Sequence, residues 1–70
     1  MIPLCFADPN EEVVIRKVGG SPEVKQHLYD LGFVVGGKAT VITSLNGNLI
    51  VRVKESRVAI NEEMARHIMV

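Results

Sequence analysis

The sequence predicts a mainly β fold: a small, partly open barrel of about five short strands with one α-helix inserted after the first long strand. Three observations predict it. Short runs rich in Val and Ile are separated by turn residues throughout the chain. Asn46-Gly47 lies between two such runs and is a strong hairpin signal, because a tight two-residue turn needs positive φ at both positions. Only one stretch, Ser21 to Gly37, carries apolar residues at helical spacing.

That stretch is the organising element. Ser21 is a suitable N-cap, its hydroxyl free to accept from an unpaired amide of the first turn. Pro22 follows at the first helical position, where a missing N–H costs nothing. Val24, Leu28 and Leu31 recur at i, i+4 and i+7 and form one narrow stripe. Gly32 comes directly after the stripe, where a left-handed residue closes a helix. Phe33 is then placed to fold back over the apolar residues.

The remaining elements follow in order. Met1 to Ala7 is a short apolar start that Pro3 confines to an edge. Asp8-Pro9-Asn10 is turn chemistry. Glu11 to Val18 reads as one strand, with Val14, Arg16 and Val18 on one face and Val13, Ile15 and Lys17 on the other. Gly19-Gly20 ends it. After the helix, Gly36-Gly37 opens a strand from Lys38 to Ser44, and Leu49 to Lys54 returns from the hairpin. In the return strand Leu49, Val51 and Val53 make one face wholly apolar. Glu55-Ser56 is read as a turn, Arg57 to Ile60 as a strand, and Asn61 as the cap of a short turn from Glu62 to His67. Ile68 to Val70 can pair as a last strand.

Seventy residues are read as one domain, 1–70. A chain of this size buries only about 60% of its unfolded surface, so apolar packing has little margin. Disulfides cannot add to it, since Cys5 is the only cysteine. No leader or long apolar run is seen, and a lone thiol fits a reducing compartment, so a cytoplasmic location without direct membrane insertion is expected. Eight basic side chains balance eight acidic ones. Nucleic-acid binders usually carry a basic excess, and Phe6, Tyr29 and Phe33 are the only aromatics available for stacking. No nucleic-acid partner is expected.

The chemistry of catalysis and of cofactor binding is sparse. Gly32 to Lys38 reads G-x-x-x-x-G-K, the first seven positions of a P-loop, but Ala39 stands where a Mg²⁺-binding hydroxyl is needed. The run also leaves a helix and enters a strand, whereas phosphate binding uses a strand entering a helix N-terminus. Cys5, His27 and His67 are scattered and show no metal-ligand spacing. The more economical reading is a small buried hydrophobe for Cys5, an edge residue for His27 and a helix-terminal cation for His67. No nucleophile has a base beside it. Neither catalytic, cofactor nor metal residues are assigned, and no enzyme is expected.

The assembled segments resemble the FeoA family, ferrous iron transport protein A, over essentially the whole length. The family pattern has a helix ending R-L-x-x-L-G-[LF]-x-x-G. Here it reads His27-Leu28-Tyr29-Asp30-Leu31-Gly32-Phe33-Val34-Val35-Gly36. The family's closing pattern appears as Ser56-Arg57-Val58-Ala59-Ile60, then Ala65, Ile68 and Val70. His27 stands where the family usually has Arg, Val35 where Pro is common, and Asn10 where Gly precedes the first long strand. The resemblance implies an SH3-like barrel and a cytoplasmic, non-catalytic accessory protein. Its implied partner is the cytoplasmic part of the membrane transporter FeoB. Self-association as a homo-oligomer stays open. The alternative is a metal-responsive SH3-like module, as in the C-terminal domain of DtxR-like iron repressors. Such a repressor needs a DNA-reading helix-turn-helix ahead of this domain.

The partner surface follows from the helical wheel. With Val24, Leu28 and Leu31 turned to the barrel, Tyr29 lies far around the helix beside Lys25 and Gln26. An aromatic that the core does not claim makes a good interface anchor. Leu45, at the hairpin tip, is the next candidate. Lys25, Gln26, Tyr29 and Leu45 are therefore the expected partner-binding residues.

Overall fold

The computed structural model describes all residues, Met1 to Val70. Six strands form two antiparallel sheets around one apolar core. Strands β1 (Glu12–Val14), β3 (Lys38–Leu45), β4 (Asn48–Val53) and β5 (Ser56–Asn61) make a four-stranded sheet in the order β1-β3-β4-β5. Strands β2 (Lys17–Val18) and β6 (Ile68–Met69) make a two-stranded sheet. Helix α1 (Pro22–Leu31) lies between β2 and β3 in the chain, and a four-residue helix α2 (Glu62–Ala65) between β5 and β6.

The helix forms as its sequence dictates. The Val24 N–H donates to Ser21 Oγ at 3.3 Å. Gly32 takes φ 107°, and its N–H donates to the Leu28 and Tyr29 carbonyls. Leu28 is wholly buried, with Val24 and Leu31 packed against the core at its margin. Phe33 is also wholly buried, and its N–H donates to the Leu28 carbonyl at 2.9 Å, which turns the chain back over the stripe. At α2, Asn61 Oδ1 accepts from the Met64 N–H at 2.7 Å, as its capping role requires.

The strand predicted over Glu11 to Val18 is two strands in different sheets. Residues Glu12 to Val14 pair with β3, whereas Lys17 and Val18 pair with β6. The switch occurs at Ile15 and Arg16. Ile15 N–H donates to the Gly37 carbonyl, and Arg16 N–H donates to the Met69 carbonyl. The corner breaks strict alternation, so Ile15 and Val18 are both buried while Val14 is exposed. The chain start does pair at a sheet edge, with Pro3 bridging Met69 of β6, but only over its first residues. Ile2 and Val70 exchange two backbone hydrogen bonds, and residues Leu4–Phe6 then form a single 3-10 turn that buries Leu4 completely.

The Asn46-Gly47 hairpin is present, with φ of 52° and 80° at the two turn residues. Leu49, Val51 and Val53 of β4 all point into the core. A second two-residue turn joins β4 to β5 at Lys54-Glu55, with φ of 49° and 64°, one position earlier than Glu55-Ser56. Opposite β4, strand β3 shifts register between Val41 and Thr43. The irregularity reverses the parity of the strand end. Ala39 and Val41 point inward, yet Leu45 pairs with the outward Asn48 and is exposed.

Candidate functional surface

Lys25, Gln26 and Tyr29 lie together on the solvent side of α1. Tyr29 keeps 41% of its surface exposed, whereas its neighbour Leu28 keeps none. The ring therefore stands on an element whose two caps and buried stripe hold it in place. Gln26 Nε2 donates to Asp30 Oδ1 at 2.9 Å, one helical turn on, which fixes a polar flank beside the ring. Lys25 takes part in no ion pair and presents its ammonium to solvent.

Leu45 is 62% exposed, held outward by the register shift in β3. The hairpin that carries it is tied to α2, since the Glu62 N–H donates to the Gly47 carbonyl at 2.9 Å. The structure does not bring Leu45 to the helix face. Leu45 pairs with Asn48 at the start of β4, while the end of α1 meets the far end of that strand, Gly32 lying against Val53 and Lys54. The length of β4 between these points is about 17 Å. The expected partner residues thus fall into two separate places, Lys25 with Gln26 and Tyr29 in one and Leu45 in the other.

Phe6 is a further exposed aromatic, outside the set expected from the sequence. It is 70% exposed, more than Tyr29, and Val35 is 60% exposed. The 3-10 turn puts Leu4 inside and Phe6 outside. The signal was available in part: Pro3 and Asp8-Pro9 leave room for one short turn only, and one turn can direct only part of Leu4-Cys5-Phe6 into the core.

Cys5 lies half-buried in the 3-10 turn, His27 is exposed on α1, and His67 is half-buried after α2. No group of three or more His, Cys, Asp or Glu side chains converges on one point. No ligand-sized cavity opens into the molecule. The run Gly32 to Lys38 leaves the C-terminal end of α1 and enters β3, so its phosphate-loop spelling stands at the carbonyl end of a helix. All side-chain ion pairs are on the surface, Lys38 with Glu12 at 3.7 Å and Arg66 with Glu62 at 3.1 Å.

Fold and surface define a class: a small β-barrel with an inserted helix and no ligand-sized cavity, with several large apolar side chains exposed on its outside. A family model for the FeoA domain matches residues 2–70. The chain belongs to the FeoA family of ferrous-iron transport accessory proteins. It is 39% identical over 70 residues to a Methanocaldococcus jannaschii protein that carries the name Fe(2+) transport protein A, covering 100% of this chain and 85% of that one. A crystal structure described as an iron uptake regulatory protein, FeoA, superposes with a TM-score of 0.91 at 26% identity, covering 99% of this chain and 93% of the other. FeoA of Stenotrophomonas maltophilia, solved in complex with zinc and described as a prokaryotic SH3 domain protein, gives a TM-score of 0.82 at 20% identity, covering 100% and 89%. The last likeness bears on the fold, which is SH3-like.

Proposed function

We propose that this chain is a non-catalytic, cytoplasmic accessory module of ferrous-iron uptake, acting as one domain that binds the cytoplasmic part of the transporter FeoB. The observation that carries the reading is Tyr29: an aromatic 41% exposed on a doubly capped helix, flanked by Lys25 and Gln26. A rigidly held aromatic buries a large area on binding at small entropic cost. Family membership supports the transporter as the object of that contact. No helix of the chain is long and apolar enough to cross a membrane. Leu45, on the hairpin, supplies a second contact point, and Phe6 joins the set by its exposure.

The experiment is a direct binding measurement between this chain and the isolated cytoplasmic part of FeoB. Saturable binding that weakens on Tyr29→Ala is expected. Absence of binding by the wild-type chain, with or without guanine nucleotide on FeoB, overturns the reading.

A further inference from the structure

Strand β5 ends the four-stranded sheet, and its free edge is unusual in what lies beside it. The Lys54-Glu55 turn makes Val53 and Ser56 the first pair of the β4–β5 hairpin. Across such a two-residue turn the closing pair exchanges both hydrogen bonds, and pairing then alternates. The backbone groups of Ser56, Val58 and Ile60 therefore face β4. Those of Arg57, Ala59 and Asn61 face away from it. No strand lies on that side, and no backbone hydrogen bond from elsewhere in the chain reaches Arg57 or Ala59, whereas the Asn61 carbonyl is turned into the first turn of α2. All three are exposed.

Immediately beside this edge, on the outer face of the sheet, Arg52 and Arg57 stand directly opposite each other. By the same alternation they form a non-hydrogen-bonded pair, in which side chains approach most closely. Like charges in that position repel. Neither guanidinium is in an ion pair. The row continues across the sheet through Thr40 to Glu12, and Glu12 is engaged by Lys38. The edge thus offers a row of backbone donors and acceptors with two unneutralised cations next to it.

We propose that the open edge of β5 receives an extended acidic segment of a partner protein, which adds to the sheet as a fifth strand and sets carboxylates against Arg52 and Arg57. Strand addition supplies affinity through main-chain hydrogen bonds, and side chains at alternate positions supply selectivity. Residues of the added strand opposite Arg57 and Ala59 share the outer face, so an alternating acidic pattern meets the arginines on that face. A second copy of the chain is a poorer occupant, because β5 itself brings Arg57 and no carboxylate. The proposal concerns a different element from the α1 face and stands whether or not the transporter supplies the segment.

The test follows the backbone amide resonances of the intact chain during titration with a blocked peptide alternating Glu with Val. Its Gln counterpart and a version N-methylated at every residue serve as controls. The expected result is saturable shifts at Arg57, Ala59 and Asn61 with slowed amide exchange there. The Gln peptide, the N-methylated peptide and an Arg52→Ala/Arg57→Ala chain should each bind at least about tenfold more weakly, a step of about 1.4 kcal/mol. Three results overturn the proposal. Equal binding of the Glu and Gln peptides removes the role of charge. Equal binding of the N-methylated peptide removes strand addition. No saturable binding by the Glu peptide removes the site. A sedimenting dimer whose Arg57 and Ala59 amides are already protected without peptide overturns it as well, since a second copy then occupies the edge.

Discussion

The side chain of Lys54 lies across Gly32, its Cδ 3.4 Å from the place a Cβ on that glycine would occupy. The contact joins the end of α1 to the β4–β5 turn. A methyl group fits that space at ordinary contact distance, so the constraint on residue 32 is its backbone, at φ 107°. Gly32→Ala should cost about 1–3 kcal/mol, the usual penalty for forcing an L-residue into this region. Chemical denaturation checks it through a lowered midpoint at unchanged slope. An unchanged midpoint would show that the helix end relaxes freely.

The two hairpins make a matched pair of predictions. Gly47 sits at φ 80°, and a Cβ added there would meet no atom within 4 Å. Gly47→Val therefore acts through conformation alone and should destabilise by about 1–2 kcal/mol. Glu55 holds a comparable φ of 64° without being glycine. Glu55→Gly should therefore stabilise the protein by roughly 0.5–1 kcal/mol, strain relieved being partly offset by the greater entropy of an unfolded glycine. Thermal melts of both variants decide it, and shifts of the same sign in both would contradict the account.

Those turns also show where the sequence was legible. Asn46-Gly47 announces its turn because both residue types favour positive φ. Lys54-Glu55 adopts the same geometry without either signal, so the predicted turn fell one residue late. Helix α1 was readable to its ends because Ser21, Pro22 and Gly32 encode the caps locally. The corner at Ile15-Arg16 was not, since no glycine or proline marks it. Its cause is tertiary: Arg16 reaches Met69, more than fifty residues on, and alternation cannot report which strand a residue pairs with. The candidate surface divides in the same way. Tyr29 followed from helical period and Leu45 from its place at the hairpin tip, where the register shift in β3 turns it outward, whereas the exposure of Phe6 depends on a 3-10 turn.

Anaerobic titration with Fe²⁺ should give at most weak binding to one chain. No three ligand side chains, Cys5, His27 and His67 included, converge on one point, and tight sites require several ligands converging at about 2 Å from the ion. Calorimetry measures this directly. A stoichiometric complex of sub-micromolar affinity that is lost in Cys5→Ser or His67→Ala would contradict it.

Leu28 and Tyr29 are adjacent in the chain and opposite in role, one wholly buried and one 41% exposed. Leu28→Ala should lose about 2–5 kcal/mol by opening a cavity under α1, enough to unfold a protein of this size. Tyr29→Ala should leave the protein folded, with a far smaller loss than Leu28→Ala. The decisive measurement is the affinity of wild type and Tyr29→Ala for the cytoplasmic part of FeoB, at a temperature where both are folded. The account predicts saturable wild-type binding that weakens at least about tenfold in Tyr29→Ala, within the range of an interface anchor. Equal affinity of the two folded proteins would contradict it.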